Sequence, residues 1–465
     1  MSAPVARCAR GAAGRRAGSR APTRAAPVPT WRLPAAAALA APVIVAAPGR
    51  GTAVAVALNV ALLALAAMDW ALAPRPSDLE IHRELPAVLS LGGQGEVVWR
   101  VGNPGPRRLR VRLADELAPS LRAGSRRARL VVPPRGRAMA RTLIRPSRRG
   151  RFDVVELVAR VEGPLGLVAR QGRLRLRSTL RVYPPFRSRQ EAELRIARAR
   201  ILEVGLRSAQ GRGGGTEFDR LREYTVDDEF RRVDWAATAR VGKPIVRTYR
   251  AERNQTVLLL LDVGRTMAGL ISEAPAEAIP RLDHALDAVM ALTAVATRLG
   301  DRAGLVAFAD DLVAVVPPGN RRDQLGRVTH ALYMLQPQLV ESDYRGAFAA
   351  ALSRFRRRSL FVVLTELAEA AVTQALLPAL PLIARQHVVL VGAVRDPDVD
   401  RWARAVPTDP GSVYRKAAAV AALDERRRTV AALRGRGAIV VDAPPSTLAG
   451  ALADAYLEVK AMGRL

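Results

Sequence analysis

Cysteine is almost absent: Cys8 is the single one in 465 residues. An intrachain disulfide and a cysteine-built metal cluster are therefore excluded. No apolar run precedes Cys8, so it does not read as a lipoprotein anchor. Histidine is nearly as scarce. His82, His284, His330 and His387 are scattered, none in HExxH or paired spacing, and each reads as structural rather than as a ligand. Aromatic residues make up only 4% of the chain, so its cores must be built from Ala, Val and Leu.

Arginine, by contrast, is abundant and carries most of a formal charge of +30. A charge of that size and sign suggests nucleic acid, anionic lipid or acidic protein partners. It is also what the Arg- and Ala-rich composition of a high-GC genome produces. No compact basic cluster interleaved with aromatics appears, so nucleic acid is not an expected partner. The length, with 49% apolar residues, predicts two or three folded units.

Residues 1–32 hold Arg7, Arg10, Arg15, Arg16, Arg20, Arg24 and Arg32 and no acid, and read as a basic disordered tail. Two apolar runs follow, 33–49 and 52–73, broken at Pro48–Gly49. The second is long enough for a hydrocarbon core of about 30 Å at about 1.5 Å per residue; the first is marginal and carries Pro34 and Pro42. The pattern predicts two transmembrane helices over 33–74. Arg-rich flanks stay in the cytoplasm, so both ends of this hairpin should face inward, with the bulk of the chain on the cytoplasmic side of the inner membrane. A cleaved signal peptide with small residues near Ala46–Ala47 is the rival reading; the second apolar run and the long Arg tail argue against it. Trp31 and Trp70 are expected at the interfaces, Asn59 to bond across the hairpin, and Asp69 to reach water near the helix end.

From 77 to 185 the pattern changes to short runs of period two, punctuated by Gly, Pro and Asn: 79–85, 96–101, 108–113, 129–133, 141–145, 151–161, 173–177 and 180–184. Such spacing predicts an antiparallel β-sandwich. Residues 186–253 read as an Arg-rich, partly helical connector followed by a charged, aromatic segment. Its glycine run at 211–215 lacks the GK[ST] of a phosphate-binding loop. From 254 to 465, apolar strands alternate with helical periods, which predicts an open, mostly parallel, doubly wound α/β sheet. Ligands of such sheets sit at the carboxyl edge of the strands. Three loops there carry acids: DVGRTM (262–267), ESDY (341–344) and TEL (365–367). Together they could gather oxygen ligands for a hard divalent cation.

This layout resembles the von Willebrand factor A fold, whose adhesion site combines a DxSxS loop, a threonine in a second loop and an aspartate in a third. The segment EFDRLREYTVDDEFRRVDWAATARVGKPIVRTYRAE (217–252) resembles that of a bacterial family, domain of unknown function 58, and the similarity runs from about residue 31 to the end. Thr225–Val226 stand where the family usually has Pro-Gly. The resemblance implies a membrane hairpin, a β-sandwich and an A-type domain, with a chaperone-like role beside a MoxR-type AAA+ ATPase and no reaction attributed to the A-type domain. It implies a degenerate metal site of Asp262, Gly264, Thr266, Ser342, Asp343 and Glu366, where Mg2+ would bind with waters filling in. The alternative is a relic in which Asp262 caps nearby amides. Glu217, Phe218, Arg222, Tyr224, Asp227, Asp228, Arg231, Asp234, Trp235 and Arg240 are expected to form an interdomain clamp or a partner contact, with Asp227, Asp228 and Asp234 pairing with Arg231, Arg232 and Arg240.

The leading expectation is a membrane-anchored, non-catalytic protein-interaction or assembly factor. The alternatives are a metal-dependent hydrolase using Asp262 and Glu366, or a basic nucleic-acid or anionic-lipid binder. The hydrolase lacks an evident base or nucleophile near its carboxylates.

Overall fold

The computed structural model describes residues 26–45, 50–209, 217–225, 230, 233–250, 254–272 and 278–463. Residues 1–25, which include Cys8 and every arginine of the basic start except Arg32, the Pro48–Gly49 break, the glycine run, and Asp227, Asp228, Arg231 and Arg232 lie outside the described residues. The chain divides into two compact units, Met1–Val182 and Tyr183–Leu465.

The first unit opens with a strand, β1 (Ala26–Pro29), and two apolar helices, α1 (Arg32–Val45) and α2 (Gly51–Leu72), which pack on each other. β1 corrects the reading of the whole tail as disordered: its residues add an antiparallel edge strand to the sandwich. Edge strands tolerate the prolines Pro27 and Pro29. Among the described residues one helix is long and apolar enough to cross a membrane. That helix is α2, whose 22 residues extend about 33 Å. Its Val56, Val60 and Leu63 lie open on the surface. α1 has 14 residues and contains Pro42.

Two polar side chains of α2 behave differently from expectation. The Asn59 amide donates back to the Ala55 carbonyl of its own helix at 2.8 Å, so its hydrogen bond is spent locally rather than across the pair. Asp69 is fully buried instead of reaching water. It accepts backbone N–H bonds from Leu165 at 2.7 Å, Leu167 at 2.7 Å and Val168 at 2.9 Å. Those groups would otherwise be orphaned donors in a turn, and the carboxylate satisfies them together.

The sandwich contains β2 (Glu80–Glu84), β3 (Val88–Ser90), β4 (Gly95–Gly102), β5 (Leu109–Asp115), β6 (Arg127–Val132), β7 (Arg137–Ile144), β8 (Gly150–Glu162) and β9 (Val168–Tyr183). One sheet runs β1-β9-β8-β5-β6 with β3 added on β9; the other is β2-β4-β7. The two runs expected at 173–177 and 180–184 are one 16-residue strand, β9. The alternation continues through Ser178–Thr179, and a bulge in β8 between Val154 and Glu156 keeps the long pair in register. Trp99, Ile144, Leu157 and Leu180 are fully buried in a core drawn from both sheets. Within it Arg83 pairs with Asp115 at 2.6 Å, both side chains buried, and the Trp99 indole N–H donates to the same carboxylate at 2.7 Å.

The second unit begins with α3 (Arg189–Ala209), expected in the connector. Ala192 and Ile196 join the main core, and Arg195 grips Asp454 with two hydrogen bonds at 2.8 and 3.0 Å, so α3 packs as part of the α/β domain. A two-stranded ribbon, β10 (Glu217–Glu223) and β11 (Ile245–Arg250), flanks the short α4 (Trp235–Val241). The elements that follow are β12 (Thr256–Asp262), the small hairpin β13 (Leu270–Ser272) and β14 (Ala278–Pro280), α5 (Arg281–Arg298), β15 (Arg302–Phe308), β16 (Leu312–Gly319), α6 (Gln324–Leu332), α7 (Tyr344–Arg354) and β17 (Leu360–Leu364). Next, α8 (Glu369–Ala371) passes through a π turn at Val372–Leu376 into α9 (Leu377–Ala384). The chain closes with β18 (Val388–Val394), α10 (Pro397–Arg404), α11 (Pro410–Gly435), β19 (Ile439–Ala443) and α12 (Pro445–Ala461).

The sheet order is β16-β15-β12-β17-β18-β19, parallel except for the antiparallel edge strand β16. β12 is buried along almost its whole length, which is why its sequence is a continuous apolar run rather than an alternating one. From β12 the chain builds first toward β15 and β16, then returns to β17 on the other side. The order therefore reverses between β12 and β17, where doubly wound sheets open a crevice.

Candidate functional site

Asp262 ends β12 beside that reversal, and Thr365 and Glu366 follow β17 directly across from it. The Asp262 carboxylate is fully buried. It accepts from the Ser342 hydroxyl at 2.5 Å and the Gly264 N–H at 2.8 Å on one oxygen. The other oxygen meets the Thr365 hydroxyl at 2.6 Å and the Tyr344 phenol at 2.8 Å. Tyr344 and Thr365 also lie 2.7 Å apart. Burial, followed by the Asp262 charge, pushes the Tyr344 phenol well above its usual range, which keeps it a proton donor. All three loops expected at this edge thus converge on one carboxylate, closing it with neutral donors.

A cleft of about 370 Å³ opens over these groups. Thr266, Ser342 and Tyr344 form its polar lining, Ala368, Ala370, Ala371 and Ala375 line it with methyl groups, and Gln374 adds an amide. Part of that lining belongs to the π turn, an insertion frequent at functional sites. At the mouth Arg265 and Glu341 pair at 2.5 Å, both largely exposed.

Of the remaining predicted ligands, Asp343 and Glu366 are engaged elsewhere, while the Thr266 side chain stays in the cleft lining. Asp343 caps α7 by accepting the Gly346 N–H at 3.0 Å. The Thr266 carbonyl accepts from Arg281 at 2.8 Å. Glu366 is buried between two guanidiniums, Arg281 at 2.8 Å and Arg426 at 2.5 Å. The Arg281 approach is a charge contact outside hydrogen-bond geometry. Arg426 also grips Asp442 at 2.9–3.0 Å. Burial opposes the Arg426 charge, but Asp442 and Glu366 outweigh it and raise the guanidinium above its ordinary value. Gly264 stands where the adhesion pattern has a serine; a Cβ there would fall on the Ser342 hydroxyl. That is a packing reason for the missing hydroxyl.

Among the described residues no group of three or more His, Cys, Asp or Glu side chains is placed to share a metal ion. A hard divalent cation takes about six oxygen ligands. Here the Asp262 oxygens already serve four protein donors, and Glu366 is neutralised by arginines. As arranged, these residues do not fit a resident Mg2+ ion.

The charged segment folds around Asp234. Its carboxylate caps α4 by accepting from Ala236 and Ala237 at 3.1 Å, and it pairs with Arg247 at 2.6 Å rather than with the expected Arg240. Arg247 first, then those amides, hold the Asp234 carboxyl below its usual range. Arg240 donates to the Ala236 carbonyl of its own helix at 3.2 Å. Arg222 reaches Thr225 and the Glu223 carbonyl, and the Tyr224 N–H bonds to Pro244. Trp235 is 60% exposed and packs edge-on against Phe230. Glu217 and Phe218 lie on β10, but their side chains fall outside the described residues.

Sequence reasoning passed over Tyr344, Thr365, Arg281, Arg426 and Asp442. The first two stood inside the quoted loops, where a hydroxyl beside an acid was the available signal. Arg426, mid-helix in an Arg run, carried none.

Residues 220–406 match a family described as protein of unknown function DUF58. The match begins within β10 of the ribbon, covers Asp262, the three loops and Glu366, and ends before Arg426 and Asp442. Uncharacterized proteins of Mycobacterium bovis and Mycobacterium tuberculosis are 29% identical over 187 residues, 40% of this chain and 56% of theirs. The chain therefore spans little more than half the length of these relatives. Among solved structures, the conserved hypothetical protein BatB from Bacteroides thetaiotaomicron is 17% identical, covering 44% of this chain and 99% of that one at a TM-score of 0.28. A likeness that distant has no bearing on function.

Proposed function

We propose that this chain is a membrane-anchored, non-catalytic interaction or assembly factor that presents the cleft beside Asp262 to a protein partner, a MoxR-type AAA+ ATPase. The closed carboxylate carries this reading. A general base or nucleophile must be able to reach a reacting atom. Asp262 is instead sealed under hydroxyls that donate to it, and Glu366 is locked between arginines. What remains open is a preformed cleft at a switch point, with one wall of alanine methyls and the rest polar, which is the form of a binding site. The strand order with one antiparallel edge supports an A-type domain.

The anchor is a two-span hairpin with both ends in the cytoplasm. The Arg-rich flanks support that orientation. The return of α2 to the loop beside which α1 begins supports an even number of crossings.

The test is a pull-down from native membranes with wild type and Asp262→Ala side by side, with matched thermal unfolding. Wild type retains an AAA+ ATPase and the equally folded variant loses it. If wild type retains none, the reading fails.

A further inference from the structure

The charge balance at the cleft indicates what it receives. Asp262 is buried, and among the described residues no cationic side chain pairs with it; all its partners are hydroxyls and one backbone N–H. The nearby arginines are committed. Arg281 and Arg426 neutralise Glu366, Arg426 also holds Asp442, and Arg265 is bound to Glu341 at the mouth. The site therefore keeps one negative charge that the fold does not balance. Ser342 donates its proton inward to Asp262, so its outward lone pairs face the cleft. The cleft thus presents an acceptor surface backed by a buried carboxylate, and low-dielectric surroundings strengthen its pull on a cation.

From this we infer that the cleft accepts a basic side chain of the partner, a lysine whose ammonium lies over Ser342 and Thr266 while its four-carbon stem runs along Ala368, Ala371 and Ala375. The methyl-lined wall suits an aliphatic stem, and the ammonium has three donors to offer to hydroxyl and amide oxygens. The Arg265–Glu341 pair already places a guanidinium on an acid at the entrance, and the entering lysine competes for that acid. This inference rests on the reading of the cleft as a protein-binding edge and adds the chemistry of the residue bound there.

The experiment uses the full chain in detergent micelles and three peptides carrying a fluorophore on the N-terminal amine, Ala-Ala-Lys-Ala-Ala-NH2 and its norleucine and glutamate counterparts, so that the lysine ammonium stays free. Anisotropy titrations are run with EDTA and, separately, with Mg2+. The lysine peptide is expected to bind about tenfold or more tightly than the norleucine one, weakening with salt, while the glutamate peptide does not bind. Asp262→Asn should remove the lysine preference. Ala371→Leu, which fills the wall without touching the carboxylate, should reduce binding of the lysine and norleucine peptides alike, and it keeps the test valid if Asp262→Asn fails to fold. Equal binding of lysine and norleucine, preference for glutamate, or binding seen only with Mg2+ would overturn the inference. Absence of any peptide binding alongside intact ATPase capture would overturn it too, while leaving the interaction role standing.

Discussion

Thr30 and Asp69, at opposite ends of the α1–α2 pair, hydrogen-bond to the same loop, residues 163–168. The Thr30 hydroxyl donates to the Gly166 and Leu167 carbonyls at 2.5 and 3.1 Å, and Asp69 accepts the N–H groups of Leu165, Leu167 and Val168. The chain therefore leaves for its apolar helices and comes back at one point of the sandwich.

A segment that departs and returns at one place crosses a bilayer an even number of times. Cys8, the only cysteine, should be labelled by a membrane-impermeant maleimide from the same side as a cysteine placed at exposed Arg137 on β7. Both are expected to be protected in intact cells and labelled after lysis. Labelling of one alone in intact cells would break the hairpin.

Asp69→Ala leaves three backbone donors without their partner, that of Val168 buried and those of Leu165 and Leu167 half-buried. Each orphaned donor costs about 1–3 kcal/mol, so the variant should lose about 3 kcal/mol or more. Gly163→Ala should act alike, because its Cβ would collide with the Asp69 carboxylate. Thermal unfolding with limited proteolysis of the 163–168 loop reads both; unchanged cleavage would refute the pinning.

Arg83 and Asp115 form the buried ion pair of the sandwich. Asp115→Ala should destabilise that unit by about 3–5 kcal/mol, since it strands a buried guanidinium and the Trp99 indole N–H. Arg83→Met with Asp115→Leu removes both charges and should restore most of the loss. Chemical denaturation followed by tryptophan fluorescence, with Trp31, Trp70, Trp235 and Trp402 replaced by Phe so that Trp99 alone reports, distinguishes the variants.

His284 on α5 has its pKa lowered to about 4 by burial first, then by Arg187 and Arg281. The folded state therefore resists a proton that the unfolded chain takes up below its ordinary value of 6.5. Stability should be full above that value and fall by about 3 kcal/mol as pH drops toward 4. Asp287 on the same helix is shifted upward by burial, so its protonation favours the folded state and offsets part of the loss at the acid end. His284→Leu should flatten the slope of denaturation midpoint against pH in this window. An unchanged slope would place the dependence elsewhere.

Much of the architecture was legible in the chain because it is written in local periodicity. The uninterrupted apolar run ending at Asp262 announced a strand buried on both faces, and Arg–Leu alternation announced β5 with one wet face. The same local signal misled where it lacked a boundary. Ser178–Thr179 looked like a break and is the middle of β9, and the last residues of the Arg-rich start pair with a strand more than a hundred positions away.

From residue order alone came the kinds of element, their sequence and the three loops that meet at one sheet edge, because backbone preference and hydrophobic pattern act over a few residues. Which groups those loops bring together was set by folding in space. Ser342, Tyr344 and Thr365 reach Asp262 across 80, 82 and 103 positions, and Arg426 reaches Glu366 across 60. Such pairings depend on strand order and helix placement, so the difference between an open metal cage and a carboxylate sealed by hydroxyls emerged only once the sheet was assembled.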